Sequence, residues 1–429
     1  MSRPHTVHQT ARTVGEDGQP PSERKSAIPQ ITDGISANPI FKPRSLTPLT
    51  SAHLDLIRGL AAWVVMWEHS RALFVVNYDQ VQTPDIALKL LYFLTGFGHQ
   101  AVIVFFVLSG FLISSSIFGK CDSGKWSWHE YGIDRLSRLW VVLVPGLALG
   151  FFWDKLGSQL FSATGLYSTP LKNFGSVVVR DHLGLGTLLG NLFFLQTIHF
   201  PELGSNGPLW SLANEFWYYI LFPFGLFAWI ARKRGALVTS CLCAVSFIAV
   251  ALFVGRPITT SFSIWLMGTV LVFAYAKYRS QRKSSAILFV LAAAIALCGL
   301  LAFERNGHLN DFRGDLLMGA VFTIFLFGVL QLDFGARNPF YERLAQGLAG
   351  FSYSLYVLHF PLLLFLRARI APTGKWQPDA VHLGYWSILG AAVLAYSWFI
   401  SMFTERRTKA VRNWMRRLLP AFEARAQEI

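Results

Sequence analysis

Ten apolar runs constrain this chain more than any other feature of its sequence. A helix needs about 20 consecutive apolar residues to cross the ~30 Å hydrocarbon core of a bilayer. All the runs approach that length except the short third one. They lie near 54–76, 97–118, 139–153, 208–230, 236–254, 258–276, 285–303, 314–332, 348–366 and 383–403. The pattern predicts an all-α polytopic membrane protein with about ten transmembrane helices.

The composition agrees with a membrane protein. Hydrophobic residues make up 53% of the chain, charged residues only 14%, and the mean hydropathy is +0.41. The net charge of +14 comes largely from short basic clusters between apolar runs, such as residues 232–234 and 406–407. Such clusters are typical of cytoplasmic loops beside a lipid bilayer, so we expect no nucleic-acid partner. The four cysteines show no metal-ligand spacing, and we expect neither a metal site nor a bound cofactor.

Charge also decides how an eleventh apolar stretch, 183–199, is interpreted. This stretch is short and contains Gly190, Asn191 and Gln196. If it crossed the membrane, the basic cluster 232–234 would lie outside, against the positive-inside rule. We therefore predict a re-entrant or interfacial segment, with both termini in the cytoplasm.

The chain divides into three parts by composition. Residues 1–50 are rich in Ser, Pro and Thr and contain no apolar signal segment, which predicts a disordered basic cytoplasmic tail. Residues 51–405 form the membrane domain, and residues 406–429 form a second basic cytoplasmic tail. The chain shows no internal repeat of the kind found in many secondary transporters.

The first apolar run carries charged and titratable residues where a bilayer penalises them. Asp55, Arg58, Glu68 and His69 all fall within it. A charged group near the bilayer centre costs about 2.5–3.5 kcal/mol on insertion scales, so such groups usually face a protein interior. Arg58 and His69 project from nearly the same helix face, about 16 Å apart along the axis. Arg58 could instead be an interfacial anchor, and His69 a structural hydrogen-bonding residue.

Further polar residues recur at helical spacing in later runs. Ser211 and Glu215 share one face, and we expect Glu215 at the depth of His69, where it could orient the imidazole or serve as a structural buried acid. Arg135 and Arg138 also share a face and could grip a phosphate or simply anchor the helix. The other substrate-binding candidates are Ser109 in a small-residue notch, Trp210 beside Ser211, Tyr353, and His359 in a polar stripe with Ser352 and Tyr356.

These motifs, in this order, resemble the membrane-bound acyltransferase family 3. The resemblance rests on Arg58 with ten residues before His69, on the stretches 105–111 and 208–215, on the Arg135/Arg138 pair, and on the stretch 352–359. It runs from about Leu54 to about Glu405. Phe216 and Leu56 stand where many relatives have an acid and a glycine, respectively.

The resemblance implies a bacterial inner-membrane enzyme. Its donor would be an acyl-CoA, most often acetyl-CoA, and its acceptor a hydroxyl of a glycan or lipid-linked glycan, although some relatives acylate other small molecules. By position, His69 corresponds to the catalytic histidine and Arg58 to its motif partner. Arg135 and Arg138 would lie on the donor side, and Glu215 belongs to the family's Trp-Ser-Leu-x-x-Glu element.

Acyl transfer to a hydroxyl requires a base, and His69 can supply one at neutral pH. An acyl-histidine intermediate is an alternative route. A proton or solute transporter, with Glu68, Glu215 and His359 in a relay, is an alternative function. A flippase component that moves glycan without covalent change is another.

Overall fold

The computed structural model describes residues 41–171, 178–305, 311–334 and 338–426. Most of the predicted N-terminal tail, residues 1–40, lies outside these ranges. The described chain is 79% helical and contains no strands. Seven of its helical segments are long and apolar enough to cross a membrane. The predicted all-α membrane class is therefore confirmed.

The first six helices carry most of the polar candidates. They are α1 (Pro48–Phe74), α2 (Ile86–Leu94), α3 (Gly98–Asp122), α4 (Trp128–Leu160), α5 (Leu185–Leu192) and α6 (Leu209–Lys233). The remaining helices are α7 (Leu237–Lys277), α8 (Lys283–Arg305), α9 (Phe312–Leu330), α10 (Pro339–Ala349), α11 (Ser352–Ile370), α12 (Ala380–Phe403) and α13 (Thr408–Ala426).

Each apolar run coincides with a helix or with half of one. The runs near 236–254 and 258–276 form the two halves of α7, which is interrupted at Gly255. Gly255 has φ 78°, a left-handed conformation that glycine adopts without steric cost, and Pro257 follows it inside the helix. α1 and α6, at 27 and 25 residues, are long enough to span but are not among the seven apolar segments.

The stretch 183–199 forms only the eight-residue α5 and an irregular return. Eight helical residues rise about 12 Å, too little to cross a bilayer. Indole N–H groups fix this segment, because Trp140 donates to the carbonyl of Leu192 and Trp217 donates to that of Phe194. The amide of Gln196 donates to the carbonyl of Leu209 at the start of α6. Side chains of α4 and α6 thus satisfy two backbone carbonyl groups of the segment.

Residues 41–47 pack against one end of the bundle. The ring of Phe41 lies 5.6 Å from that of Phe118 and 4.5 Å from that of Phe273. Thr47 caps α1 and donates to Asp333 at 2.6 Å, and Arg44 pairs with the same carboxylate at 3.4 Å. Residues 41–47 are thus in contact with helices of the membrane domain.

The core packs α1 against α3, α10 and α11, and α7 against α3 and α6. Glycines permit the closest approach, between α3 and α7. A Cβ on Gly268 would lie 2.5 Å from the backbone nitrogen of Phe111 and closer still to the carbonyl oxygen of Val107. No flexible side chain can yield there, because both obstructing atoms belong to the backbone.

We expect Gly268→Val to destabilise the protein by about 3 kcal/mol or more, because overpacking would separate α3 from α7. Gly299→Val on α8 is the matched control, since a Cβ at that position meets nothing within 4 Å. Both changes carry the same helix-propensity effect. Thermal unfolding of the two variants in detergent measures the difference, and equal unfolding temperatures would contradict the packing described here.

Candidate active site

A cavity of about 680 Å³ lies at the end of the bundle where α1 ends and α6 begins. We call it the histidine cavity. Its polar wall is formed by Glu68 and His69 of α1, His99 of α3, Ser205 of the segment before α6, and Trp210 of α6. The ring of Trp210 stacks on that of His99 with centroids 6.3 Å apart. Polar groups and an aromatic face therefore converge on a space large enough for a substrate.

His69 is held by a second histidine. Its Nδ1 lies 2.7 Å from Nε2 of His359 on α11, and the two rings stack at an angle of 11°. Nδ1 of His359 lies 2.9 Å from the carbonyl oxygen of Leu355, one turn earlier in the helix. His359 is fully buried, whereas His69 is partly exposed and lines the cavity.

This hydrogen-bond chain determines the tautomer of both neutral rings. A carbonyl oxygen only accepts, so Nδ1 of His359 carries the proton and its Nε2 must accept. Nδ1 of His69 is then the donor in the bond between the rings, which leaves Nε2 of His69 without a proton. The arrangement prepares Nε2 of His69 to act as a base.

A smaller cavity of about 90 Å³ lies further along the bundle, toward the start of α1. We call it the arginine cavity. It is lined by Arg58 of α1, Arg138 of α4, Glu215 of α6 and Tyr353 of α11. Arg58 donates to Asp55 one turn earlier at 3.0 Å, and the charges of Glu215 and Glu405 interact with Arg138. Two guanidinium groups thus share a buried pocket with a carboxylate.

Glu215 does not contact His69, contrary to the hypothesis that it orients the imidazole. Its carboxylate accepts hydrogen bonds from Ser109 at 2.9 Å and from Tyr219. The indole of Trp265 donates in turn to Ser109 at 3.2 Å. The hypothesis that Glu215 orients the imidazole is therefore wrong, because Glu215 lines the arginine cavity and His359 occupies the orienting position.

Tyr356 separates the two cavities and lines both. Its hydroxyl lies 2.6 Å from that of Ser211, which lies 3.2 Å from the carbonyl oxygen of Pro208. Tyr353, one turn from Tyr356, is held by its own hydrogen bond to the carbonyl of Leu139 at 3.0 Å. A pair of hydroxyl groups thus stands between the histidine and arginine cavities.

Arg135 lies near this site but is not part of the arginine cavity wall. Its guanidinium group lies 5.6 Å from the ring of Tyr131 and 5.8 Å from that of Tyr219. The structure thus places the two arginines of the pair differently, with Arg138 lining the cavity and Arg135 against aromatic rings.

One buried acid, which accepts hydrogen bonds from the loop before α6, was not among the candidates predicted from the sequence. Asp154 of α4 is fully buried and accepts from the backbone N–H of Ser205 at 2.7 Å and from its hydroxyl at 2.8 Å. Asn206 donates to the carbonyl of Val357 on α11 at 2.9 Å. The available signal was an aspartate that directly follows the apolar run 139–153 inside a longer helix.

Metal-ligand clusters are absent from the described ranges, where no group of three or more His, Cys, Asp or Glu residues could hold a metal ion. The groups that line the two cavities include an oriented imidazole, two hydroxyl groups and two guanidinium groups.

The fold and the site define an integral membrane protein with a polar site between its helices. The sequence profile of the family described as "Acyltransferase domain" matches residues 51–402. This chain belongs to that family, the acyltransferase 3 family, and it is an acyltransferase. The resemblance inferred from the motifs is confirmed, and family membership favours the enzyme over the transporter alternative.

Three similar proteins are named as O-acetyltransferases, and each is of low sequence identity to this chain. The chain is 25% identical over 317 residues to an O-acetyl transferase of Shigella phage Sf6, covering 72% of this chain and 83% of the relative. A Staphylococcus aureus protein (strain MRSA252) named as an O-acetyltransferase is 23% identical, covering 77% of this chain and 56% of the relative. A Bacillus subtilis protein (strain 168) named as a peptidoglycan O-acetyltransferase is 26% identical, and the match covers 62% of this chain and 44% of the relative. The match thus spans about half the length of the last two relatives, and no solved structure matches the chain.

Proposed function

We propose that this enzyme transfers an acyl group, most often acetyl, from acyl-CoA to a hydroxyl of a carbohydrate. The observation that carries the proposal is the pair of cavities on either side of Tyr356, one with two arginines and one with an oriented histidine. The donor enters at the arginine cavity and the acceptor at the histidine cavity. The relatives named for O-acetylation, one of them on peptidoglycan, support a glycan acceptor.

The size of the arginine cavity limits what it holds. Sites for drug-sized ligands measure about 300–1,000 Å³, whereas this one measures about 90 Å³. In this proposal it receives only the acyl thioester end of the donor, while the rest of CoA, with its phosphates, stays at the rim. Arg58 and Arg138 offer the bidentate donors that suit phosphate and thioester oxygens, and Arg135 adds positive charge nearby.

The chemical step uses the tautomer described above. Nε2 of His69 takes the proton of the acceptor hydroxyl as its oxygen attacks the thioester carbonyl carbon. The hydroxyl of Tyr356 or Ser211 donates to the oxyanion that forms. The carbon–sulfur bond then breaks, and the proton passes from His69 to the CoA sulfur. One ester and one free thiol are formed for each thioester consumed.

The proposed topology places all ten runs across the bilayer with both termini in the cytoplasm. Arg58 then faces the compartment that contains acyl-CoA, and His69 faces outward. The basic clusters at the end of α6, at the end of α7 and at the start of α8 fall on the cytoplasmic side, as the positive-inside rule requires. For a bacterial enzyme the membrane is the inner one.

The test is acyl transfer by purified protein in detergent, without any gradient. [¹⁴C]Acetyl-CoA is supplied with a series of N-acetylglucosamine oligomers, and both CoA release and base-labile label on saccharide are measured. The proposal expects the two in equal amounts. CoA release without labelled saccharide would reject the glycan acceptor, and no CoA release at all would reject the donor.

We expect the double variant Arg58→Gln, Arg138→Gln to raise the KM for acetyl-CoA at least tenfold, since each hydrogen bond to a charged group contributes about 1.5–3 kcal/mol. Arg343→Gln is the control, because that arginine hydrogen-bonds the carbonyl of Pro339 on α10 and lies outside the cavity wall. An unchanged KM in the double variant would exclude the arginine cavity as the donor site.

A further inference from the structure

A third cavity of about 580 Å³ adjoins the histidine cavity. We call it the side cavity. Glu68 and His99 line both, so the two spaces share a wall formed by these side chains. The rest of the side cavity is built by the start of α3, the end of α8 and the start of α9. Within the described ranges it belongs to the same end of the bundle as His69.

The side cavity presents both hydrogen-bond donors and acceptors. Gln100 donates to the buried carboxylate of Glu304 at 3.0 Å, and His99 pairs with Asp315 at 2.7 Å. Arg305 reaches the backbone carbonyl oxygens of Gly96 at 3.5 Å and Tyr92 at 3.4 Å. These contacts hold the polar side chains of the wall in fixed positions.

The lining is mainly acidic and includes two aromatic side chains. Among the described residues its carboxylates are Glu68, Glu304, Asp311 and Asp315, and its basic groups are the guanidinium of Arg305 and the imidazole of His99. Phe97 and Phe312 add ring surface, and Phe312 is 37% exposed. Carboxylates accept hydrogen bonds from hydroxyl groups and repel anions, while aromatic rings cover apolar faces. Such a lining suits an uncharged, polyhydroxylated ligand.

We propose that the side cavity binds a second sugar unit of the acceptor, and that the acceptor is a neutral oligosaccharide. The unit to be acylated lies beside His69, and the chain continues past Glu68 and His99 into the side cavity. This inference rests on the proposed function, because it extends the acceptor site. It excludes a single sugar or an anionic glycan as the preferred substrate.

The test compares N-acetylglucosamine with its tetramer, and the tetramer with a hyaluronan tetrasaccharide that carries uronic acids. Binding is measured by isothermal titration of the purified protein, and kcat/KM by CoA release. We expect the neutral tetramer to bind at least tenfold more tightly than the other two and to have the higher kcat/KM. Equal binding of monomer and tetramer, or tighter binding of hyaluronan, would overturn the proposal.

The double variant Gln100→Ala, Phe312→Ala changes only side chains that line the side cavity and not the histidine cavity. It should remove the preference for the tetramer and leave kcat/KM for the monomer within about twofold. Phe340→Ala is the matched control, because Phe340 is also an exposed aromatic residue but lies in neither cavity wall. A double variant that keeps the preference would overturn the side cavity's role. If no saccharide releases CoA, the proposed function fails, while the binding comparison still decides the side cavity.

Discussion

His69→Ala is expected to reduce acyl transfer about 10²- to 10⁴-fold, the contribution typical of a positioned general base. The imidazole lines the histidine cavity, and its hydrogen bond to His359 leaves Nε2 ready to take a proton. Alanine leaves the cavity open but provides no base. CoA release and labelled ester, measured on purified variant, should fall together, with KM for acetyl-CoA nearly unchanged.

The control for this prediction is His53→Ala. His53 stands on the same helix toward its other end, where its ring hydrogen-bonds the hydroxyl of Tyr341 at 2.6 Å. Both variants lose an imidazole group from α1, and size-exclusion profiles should show that both are folded. A folded His69→Ala enzyme that keeps most of its turnover would show that the base is another group.

His359→Leu is expected to lower kcat about a hundredfold with KM for acetyl-CoA unchanged. His359 is a positioning residue, since it contacts His69 and lines neither cavity. Leucine removes the acceptor that holds the proton of His69 on Nδ1, so the imidazole can adopt the unproductive tautomer. Loss of tautomer control in a serine protease costs about 10⁴-fold.

The conservative variant His359→Gln separates positioning from packing. An amide oxygen can accept from Nδ1 of His69 much as the ring nitrogen does. We therefore expect the glutamine variant to recover kcat to within about tenfold of the unmodified enzyme, although the hydrogen bond to Leu355 is lost. If leucine raised KM with kcat unchanged, or if glutamine recovered nothing, His359 would have only a structural role.

The fold class could be predicted from the sequence, because every helix that crosses a membrane requires a long apolar run. Apolar runs of about 20 residues mark helices one by one, and the break in α7 falls between two runs, at Gly255. The short α5 was anticipated from its length and from loop charge. The helix α13 was not, because its alternating basic and apolar residues contain no long apolar run.

The site was only partly predictable, because helical spacing gives the face and depth of a residue but not the rotation of one helix against another. Arg58 and His69 on one helix were correctly separated along its axis. Which residue contacts His69 depends on how α1 and α6 are rotated toward α11. In the structure His359 forms the hydrogen bond to His69, and Glu215 bonds Ser109 instead. Asp154 and Ser205 meet across 51 positions in sequence, and no local pattern records such a pair.

The central claim is that donor and acceptor reach the site from opposite ends of the bundle and meet at Tyr356. The most direct test uses sealed proteoliposomes in which all copies face one way. [¹⁴C]Acetyl-CoA is supplied on the face that carries the termini, and the N-acetylglucosamine tetramer is confined to the other face. We predict labelled ester on the saccharide across the membrane. Ester formation only when both substrates share one face would contradict the claim.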